Sequence, residues 1–443
     1  LIYIKTFITS INPYPYPKKY RKHFTGNTRI NYLICILALF VFIASDAQTN
    51  SPLLDKLLKS NKILSTVIEK KETYKPQIIY TQINRDENNK ATFTHHYYLT
   101  DSTKYFYCAS LVKLPTSILA LEKINTLNVP GLNENSFMFT RGVYPCHKTC
   151  EKDTSASSGF PSLSHYIKKM LLVSDNFSYS RVFEFLNPDY LQEKLAEKGY
   201  PNARIIHRFD NLCREVPSSK FNPIDFYDTD MNLLYSTKEY NAKQGYRYPY
   251  AQNLVLGTDV YNKNGKKISE KKDFTFSNFI SLENFHSMMV KLLFHSQVPE
   301  KYQYKITQEQ RHFLVKHLGM YPRESEDPKY NPETFNDAYK KYFIYGGAEK
   351  TIENDSLRVF NMIGYSYGFI VDCAYIVNYK TGLEYMLSAV LYTNSRNSFG
   401  SGVYEYKTIA IPFLKELSLE LYKLENSRPK KHLPDLKEFE LFK

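Results

Sequence analysis

Strand-forming sequence is concentrated at the two ends of this chain, and that division constrains its fold more than any other feature. Near the start, Ile78–Ile83 and Ala91–Leu99 are β-branched and aromatic runs joined by the polar stretch Arg85–Lys90, the pattern of a hairpin. Near the end, Leu357–Gly364, Phe369–Val377 and Tyr385–Tyr392 follow one another across short turns. Between the two groups the apolar spacing is mostly helical. Helices are predicted over Leu53–Lys70, from Ser110 through Leu121 toward Ile124, over Ser162–Leu172 and over Arg181–Leu186. Others are predicted behind a Ser281 cap, over Thr307–Leu318, and from about Tyr404 to Leu424. Residues 200–275 are polar, tyrosine-rich and aperiodic, and read as a long loop with an inserted hairpin at Asn264-Gly265. This order predicts an α/β (α+β) fold. Its core is a five-stranded antiparallel sheet whose first two strands come from the N-terminal end, with helices on both faces and an all-helical lobe beside it. No repeat or low-complexity linker divides residues 48–443, so they read as one domain, with the helical lobe and inserted loops at about 115–345.

Residues 1–47 read as a leader. Lys18, Lys19, Arg21, Lys22 and Arg29 precede an apolar run at Leu33–Ala44, and Ser45-Asp46-Ala47 offers small residues for a cut before Gln48. The run is short for a bilayer span; a retained anchor is the competing reading. Once cleaved, the chain is expected to be exported to the periplasm or cell envelope, with no stable membrane span. The formal net charge is +13, but no dense Lys/Arg tract has nucleic-acid spacing, so no nucleic-acid partner is expected. Five of the six cysteines lie beyond the leader, and Cys146 and Cys150 are spaced for a local disulfide in an exported protein. His95, His96, His147 and His165 form no metal-binding spacing, so neither a metal nor another cofactor is expected. The chain reads as a monomer.

Chemistry enters with Ser110 and Lys113. On a helix, positions three apart share a face, so the lysine amine can reach the serine hydroxyl. Serine is a poor nucleophile until a neighbouring base takes its proton. A lysine withdrawn from water, or placed among cations, can be that base. Ser110 at the helix start also has a backbone N–H with no helical partner, available to an oxyanion. A helix-start serine followed by a surface lysine has the same letters. Sixty-four residues after Ser110 comes Ser174-Asp175-Asn176, again in an apolar helical context. Alone, that triplet suits a helix cap or an Asx turn.

Together, S-x-x-K and S-D-N resemble the serine acyl-transferases of the class A β-lactamase and penicillin-binding protein superfamily, the β-lactamase/transpeptidase-like serine hydrolases. The resemblance implies that Ser110 is the nucleophile, Lys113 its base, and Ser174 the proton shuttle to the leaving group. It implies that Asn176 binds the substrate amide and Lys113, and that Asp175 is structural. The family's third element is K-T-G on the strand edging the site. Lys380-Thr381-Gly382 has these letters but lies between two strand runs, where Thr-Gly is turn chemistry. The strand in the right place carries Met362-Ile363-Gly364 instead. Gly364 is expected to let a substrate lie along the strand, and the Tyr365 N–H to be the second oxyanion donor. Met362 is expected to face the pocket beside Ser174, where the family has a cation. Arg208-Phe209-Asp210 stands where class A enzymes carry R-x-E, with Asp210 a candidate deacylating base; a surface Arg–Asp pair is the alternative. The implied function is an exported serine hydrolase that forms an acyl-serine at Ser110 with a small-molecule or peptidoglycan-like amide, such as a β-lactam. The alternative on the same fold is a non-catalytic or penicillin-binding, peptidoglycan peptidase-like protein.

Overall fold

The structure, a computed structural model, describes residues 50–145, 147–209, 219–243, 254–262, 264–348 and 350–442. The leader, the cut before Gln48, Cys146, Asp210 and Cys213 lie outside the described residues.

The predicted sheet is present. β1 (Gln77–Arg85) and β2 (Ala91–Tyr98) form the N-terminal hairpin, and β3 (Leu357–Ser366), β4 (Phe369–Asn378) and β5 (Leu383–Tyr392) form a C-terminal meander. The spatial order is β3-β4-β5-β1-β2, antiparallel throughout. The join between the two ends of the chain is the β1–β5 pairing, with Ile78 opposite Ala389 and Tyr80 opposite Leu387. Every residue of β4 and β5 is buried, as expected for central strands covered on both faces.

On one face lie α1 (Pro52–Ser60), α2 (Lys62–Glu69) and the C-terminal helix Ile411–Ser427. The other face carries the helical lobe. Its members include α3 (Lys113–Leu127), α4 (Leu163–Val173), α5 (Asn176–Leu186), α6 (Pro188–Glu197), α7 (Leu282–Leu293) and α8 (Gln308–Gly319). Ser162, Ser281 and Thr307 cap α4, α7 and α8 with their hydroxyls, and Thr307 with Gln310 completes a capping box.

Several boundaries differ from expectation. The single helix predicted over Leu53–Lys70 is two, because Asn61 adopts extended backbone and its side-chain oxygen caps Ile63 and Leu64. The helix expected from Arg181 starts at Asn176, and the last helix is preceded by a π turn at Tyr406–Ala410. Residues 200–275 are more than a loop with one hairpin. Ile224–Tyr227 and Leu233–Ser236 join Phe137–Thr140 in a three-stranded sheet. The hairpin at Asn264-Gly265 does form, pairing Asp259–Tyr261 with Lys267–Ile268. Among the described residues, no helix is long and apolar enough to cross a membrane.

Candidate active site

Ser110 lies in a 3-10 turn, Ala109–Val112, that leads into α3 at Lys113. The helix therefore starts three residues after the serine, not at it. Ala109 immediately before it has φ +45°, a left-handed conformation that costs a non-glycine residue about 1–2 kcal/mol. Surrounding packing must hold it, and β3 does so. A Cβ at Gly364 would meet the Cys108 carbonyl oxygen at 2.4 Å and the Ser110 nitrogen at 3.2 Å. The missing side chain is thus used to seat the Ser110 turn against the strand. That corrects the expectation that Gly364 leaves its space to substrate.

The S-D-N triplet is a helix junction in which each residue has a separate task. Ser174 ends α4 in left-handed conformation (φ 60°, ψ 38°), and its N–H donates to Lys169 O. Asp175 starts α5, its carboxylate accepting the Ser178 N–H at 2.7 Å. Asn176 is the first residue of α5. This tight reversal turns Ser174 and Asn176 toward α3.

Lys113 is where the two motifs meet. Its Nζ lies 2.8 Å from Ser110 Oγ, 2.9 Å from Ser174 Oγ, 2.5 Å from Ser174 O and 2.7 Å from Asn176 Oδ1. The lysine is fully buried. Burial above all, and the nearby charge of Lys340, hold its amine well below the ordinary lysine range, against the opposing pull of Asp175. A neutral amine has two protons and one lone pair. The Ser174 carbonyl and Asn176 Oδ1 can only accept, so they take both protons. The lone pair is then left for a hydroxyl, and Ser110 Oγ is at hydrogen-bond distance.

The remaining expected residues are placed as follows. Met362 is fully buried in the core cluster that also contains Cys108 and Leu171. Tyr365 follows Gly364 on the edge strand β3, with its ring half exposed and edge-on to Tyr406. The Lys380-Thr381-Gly382 turn sits between β4 and β5; Asn378 Oδ1 accepts from the Lys380 and Thr381 N–H groups, and Gly382 has φ +62°. Arg208 is tied down by Glu184, with Nε to Oε2 at 2.8 Å. Phe209 places its ring centroid 5.3 Å from Lys113 Nζ. Cys150 is a free thiol, 3.4 Å from the Tyr166 hydroxyl; Cys146, its expected partner, lies outside the described residues. Among the described residues, no group of three His, Cys, Asp or Glu side chains is placed to hold a metal.

Sequence reasoning missed Lys340. It lies in the turn before β3, and its Nζ donates to the Leu171 carbonyl in the last turn of α4. The available signal was Tyr339-Lys340-Lys341-Tyr342-Phe343, a pair of lysines inside an aromatic stretch.

Residues 59–244 match the model of the β-lactamase enzyme family. No curated protein matches the chain. Among solved structures, a β-lactamase from Sphaerobacter thermophilus DSM 20745 is similar at 10% identity and TM-score 0.44, over 83% of this chain and 97% of that one. A class A β-lactamase from Mycobacterium abscessus is similar at 11% identity and TM-score 0.42, over 81% and 98%. A β-lactamase from Desulfarculus baarsii DSM 2075 gives 12% identity and TM-score 0.43, over 84% and 99%. The family match spans the hairpin, the Ser110 turn and the S-D-N junction, and together with the five-stranded antiparallel sheet it supports a β-lactamase/transpeptidase-like fold.

Proposed function

We propose that this chain is an exported serine hydrolase, cleaved before Gln48, in which Ser110 is acylated by an amide. The observation that carries the reading is the set of contacts at Lys113 Nζ, which joins both serines and Asn176. Ser110 Oγ attacks the substrate carbonyl carbon while Lys113 Nζ takes the hydroxyl proton. The backbone N–H groups of Ser110 and Tyr365 hold the oxyanion. As the carbon–nitrogen bond breaks, Ser174 Oγ delivers a proton to the leaving nitrogen and is resupplied by Lys113. The product is an acyl-serine and a free amine. A small-molecule or peptidoglycan-like amide, such as a β-lactam, is the proposed substrate class, with no nucleic acid and no cofactor involved.

A second reading, a penicillin-binding protein that keeps its acyl group, draws support from Phe209. Its ring stands beside Lys113, an apolar neighbour on the loop from which a deacylating carboxylate would approach. Intact mass spectrometry of the protein with a fluorophosphonate and with a β-lactam panel tests both. The expected result is a phosphonate adduct at Ser110 together with a β-lactam adduct. Decay of the β-lactam adduct over minutes favours the hydrolase, and persistence over hours the second reading. No adduct from any reagent would sink both.

A further inference from the structure

A cavity of about 370 Å³ lies away from the Ser110 site, lined from α3, from the end of α5 and from residues 235–240. Lys123 stands in its wall, ten residues beyond Lys113 on α3 and so about 15 Å further along the helix axis. The rings of Phe185, Phe221, Tyr235 and Tyr240 supply the apolar surface. Phe185 and Phe221 are buried, whereas Tyr240 is exposed and lies at the open side.

Most of the inner polar groups are already committed. Glu184 Oε1 accepts from Asn222 N and Nδ2, and its Oε2 accepts from Arg208 Nε at 2.8 Å. Asn222 Oδ1 accepts the Val143 N–H at 3.1 Å. At the rim, Lys238 and Glu239 are both exposed and offset each other, and Glu239 accepts from the Tyr144 hydroxyl. Lys123 is the exception. Its Nζ donates to Phe185 O at 2.6 Å and lies 4.4 and 4.9 Å from the ring centroids of Phe185 and Tyr190. An ammonium has three protons, and no carboxylate among the described residues pairs with this one. Burial alone brings the amine down to about 8. A carboxylate in the cavity would supply the missing partner.

The backbone beside Lys123 is strained as well. Asn187, between α5 and α6, has φ 58° and ψ 161°, a conformation that only glycine adopts freely. It is held there because its N–H donates to Phe183 O and its Oδ1 accepts the Tyr190 N–H at 3.0 Å. This turn directly follows Phe185, whose carbonyl fixes Lys123, and it places the start of α6 at the cavity wall. A helix start favours negative charge. Asp189 in that first turn is already engaged, accepting from the Tyr240 hydroxyl at 2.7 Å and the Lys243 N–H at 3.0 Å.

We propose that this cavity is a binding site for a small aromatic carboxylate, with its ring among Phe185, Phe221, Tyr235 and Tyr240 and its carboxylate on Lys123 Nζ. Flat rings pair with aromatic side chains edge-on or offset, which suits such walls. The volume is at the small end for ligand pockets, enough for one or two fused rings and too little for a long peptide. Charge makes the selection: a cation meets the lysine, and a neutral ring leaves the ammonium unpaired. The inference stands apart from the chemistry of Ser110 and holds whether or not that serine is acylated.

The test is calorimetric titration of the purified protein with three probes of one shape: 2-naphthoate, 2-naphthamide and 2-naphthylmethylamine. The acid should bind, the amide about tenfold to a hundredfold more weakly, and the amine not at all. Lys123→Met should bring the acid down to the affinity of the amide, and Lys123→Arg should keep the preference for the acid. Diffraction from crystals grown with 6-bromo-2-naphthoate should place the bromine in this cavity. Equal affinity for acid and amide in the wild type, full affinity for the acid in Lys123→Met, or bromine only at other places would overturn the proposal. So would the absence of binding by the acid at millimolar concentration. Should Lys123→Met fail to fold, the acid-to-amide ratio of the wild type and the bromine position decide the matter.

Discussion

Arg85 and Lys113 are both cations inside the protein, and the chain treats them in opposite ways. Arg85 lies on β1 against Glu384 of β5, in a two-pronged pair of 2.7 and 2.8 Å. A third bond goes to Asn89 O, and the Tyr375 hydroxyl donates to the same carboxylate at 2.6 Å. Burial pulls the guanidinium pKa down, but Glu384 outweighs it, and the charge is secured. Lys113 pairs with no carboxylate among the described residues; hydroxyls and carbonyls surround it. A compensated buried charge holds one shape at any accessible pH. An uncompensated one is poised to change protonation, which is what a base must do.

Breaking the pair and breaking the base should therefore have reciprocal costs. Lys113→Met is expected to slow Ser110 labelling by about 10²–10⁴-fold. The same change should leave unfolding free energy unchanged or raised, since a desolvated amine gives way to an apolar chain of similar size. Measured by labelling kinetics beside urea unfolding, a variant that loses stability and rate together would make Lys113 a structural residue. Glu384→Ala should do the reverse. It strands a buried guanidinium and should cost about 3–5 kcal/mol in urea unfolding, while the folded fraction labels at the wild-type rate. A drop in its intrinsic rate would mean that sheet and site are mechanically coupled.

The smallest effect sharpens the comparison with groups that are neutral when folded. His286 bridges Thr81 and Ser388 inside the core, and His95 bonds the same Thr81 hydroxyl. Burial pushes His95 down to about 4 and His286 to about 3. In the unfolded chain both take a proton near pH 6.5. The folded protein thus binds fewer protons below that value, and stability falls as the pH drops from about 7 toward 3. Between pH 7 and 6 the two histidines should remove about 1 kcal/mol, seen as a lower urea midpoint. An unchanged midpoint would show that the network admits water or an extra proton.

How much of this was legible follows from how local each feature is. Ser110, Lys113, Ser174 and Asn176 could be picked out because each motif is four residues or fewer and its chemistry depends on near neighbours. The strands β3 to β5 were visible as unbroken apolar runs. The place of Lys340 was not, because its partner Leu171 is remote in sequence. The four-residue strands around Phe137–Thr140 were hidden in polar sequence too short to show a period. Asn61 could have signalled the break between α1 and α2, since asparagine is a strong N-cap, but continuous apolar spacing on both sides masked it. Gly364 was read as leaving room for substrate, whereas the protein's own backbone fills that space, a contact between residues far apart in sequence.

The join between Ile78 and Ala389 has a consequence for how the molecule matures. β1 emerges early from the ribosome and β5 late, so the first hairpin must wait for about 300 residues before its inner edge is covered. The strand that seats Ser110 belongs to the same late group. A nascent or truncated chain would hold Ser110, the Lys113 amine and the S-D-N junction without the strand that seats the Ser110 turn. The seat of the Ser110 turn is therefore completed only once β3 has been made, long after the turn itself.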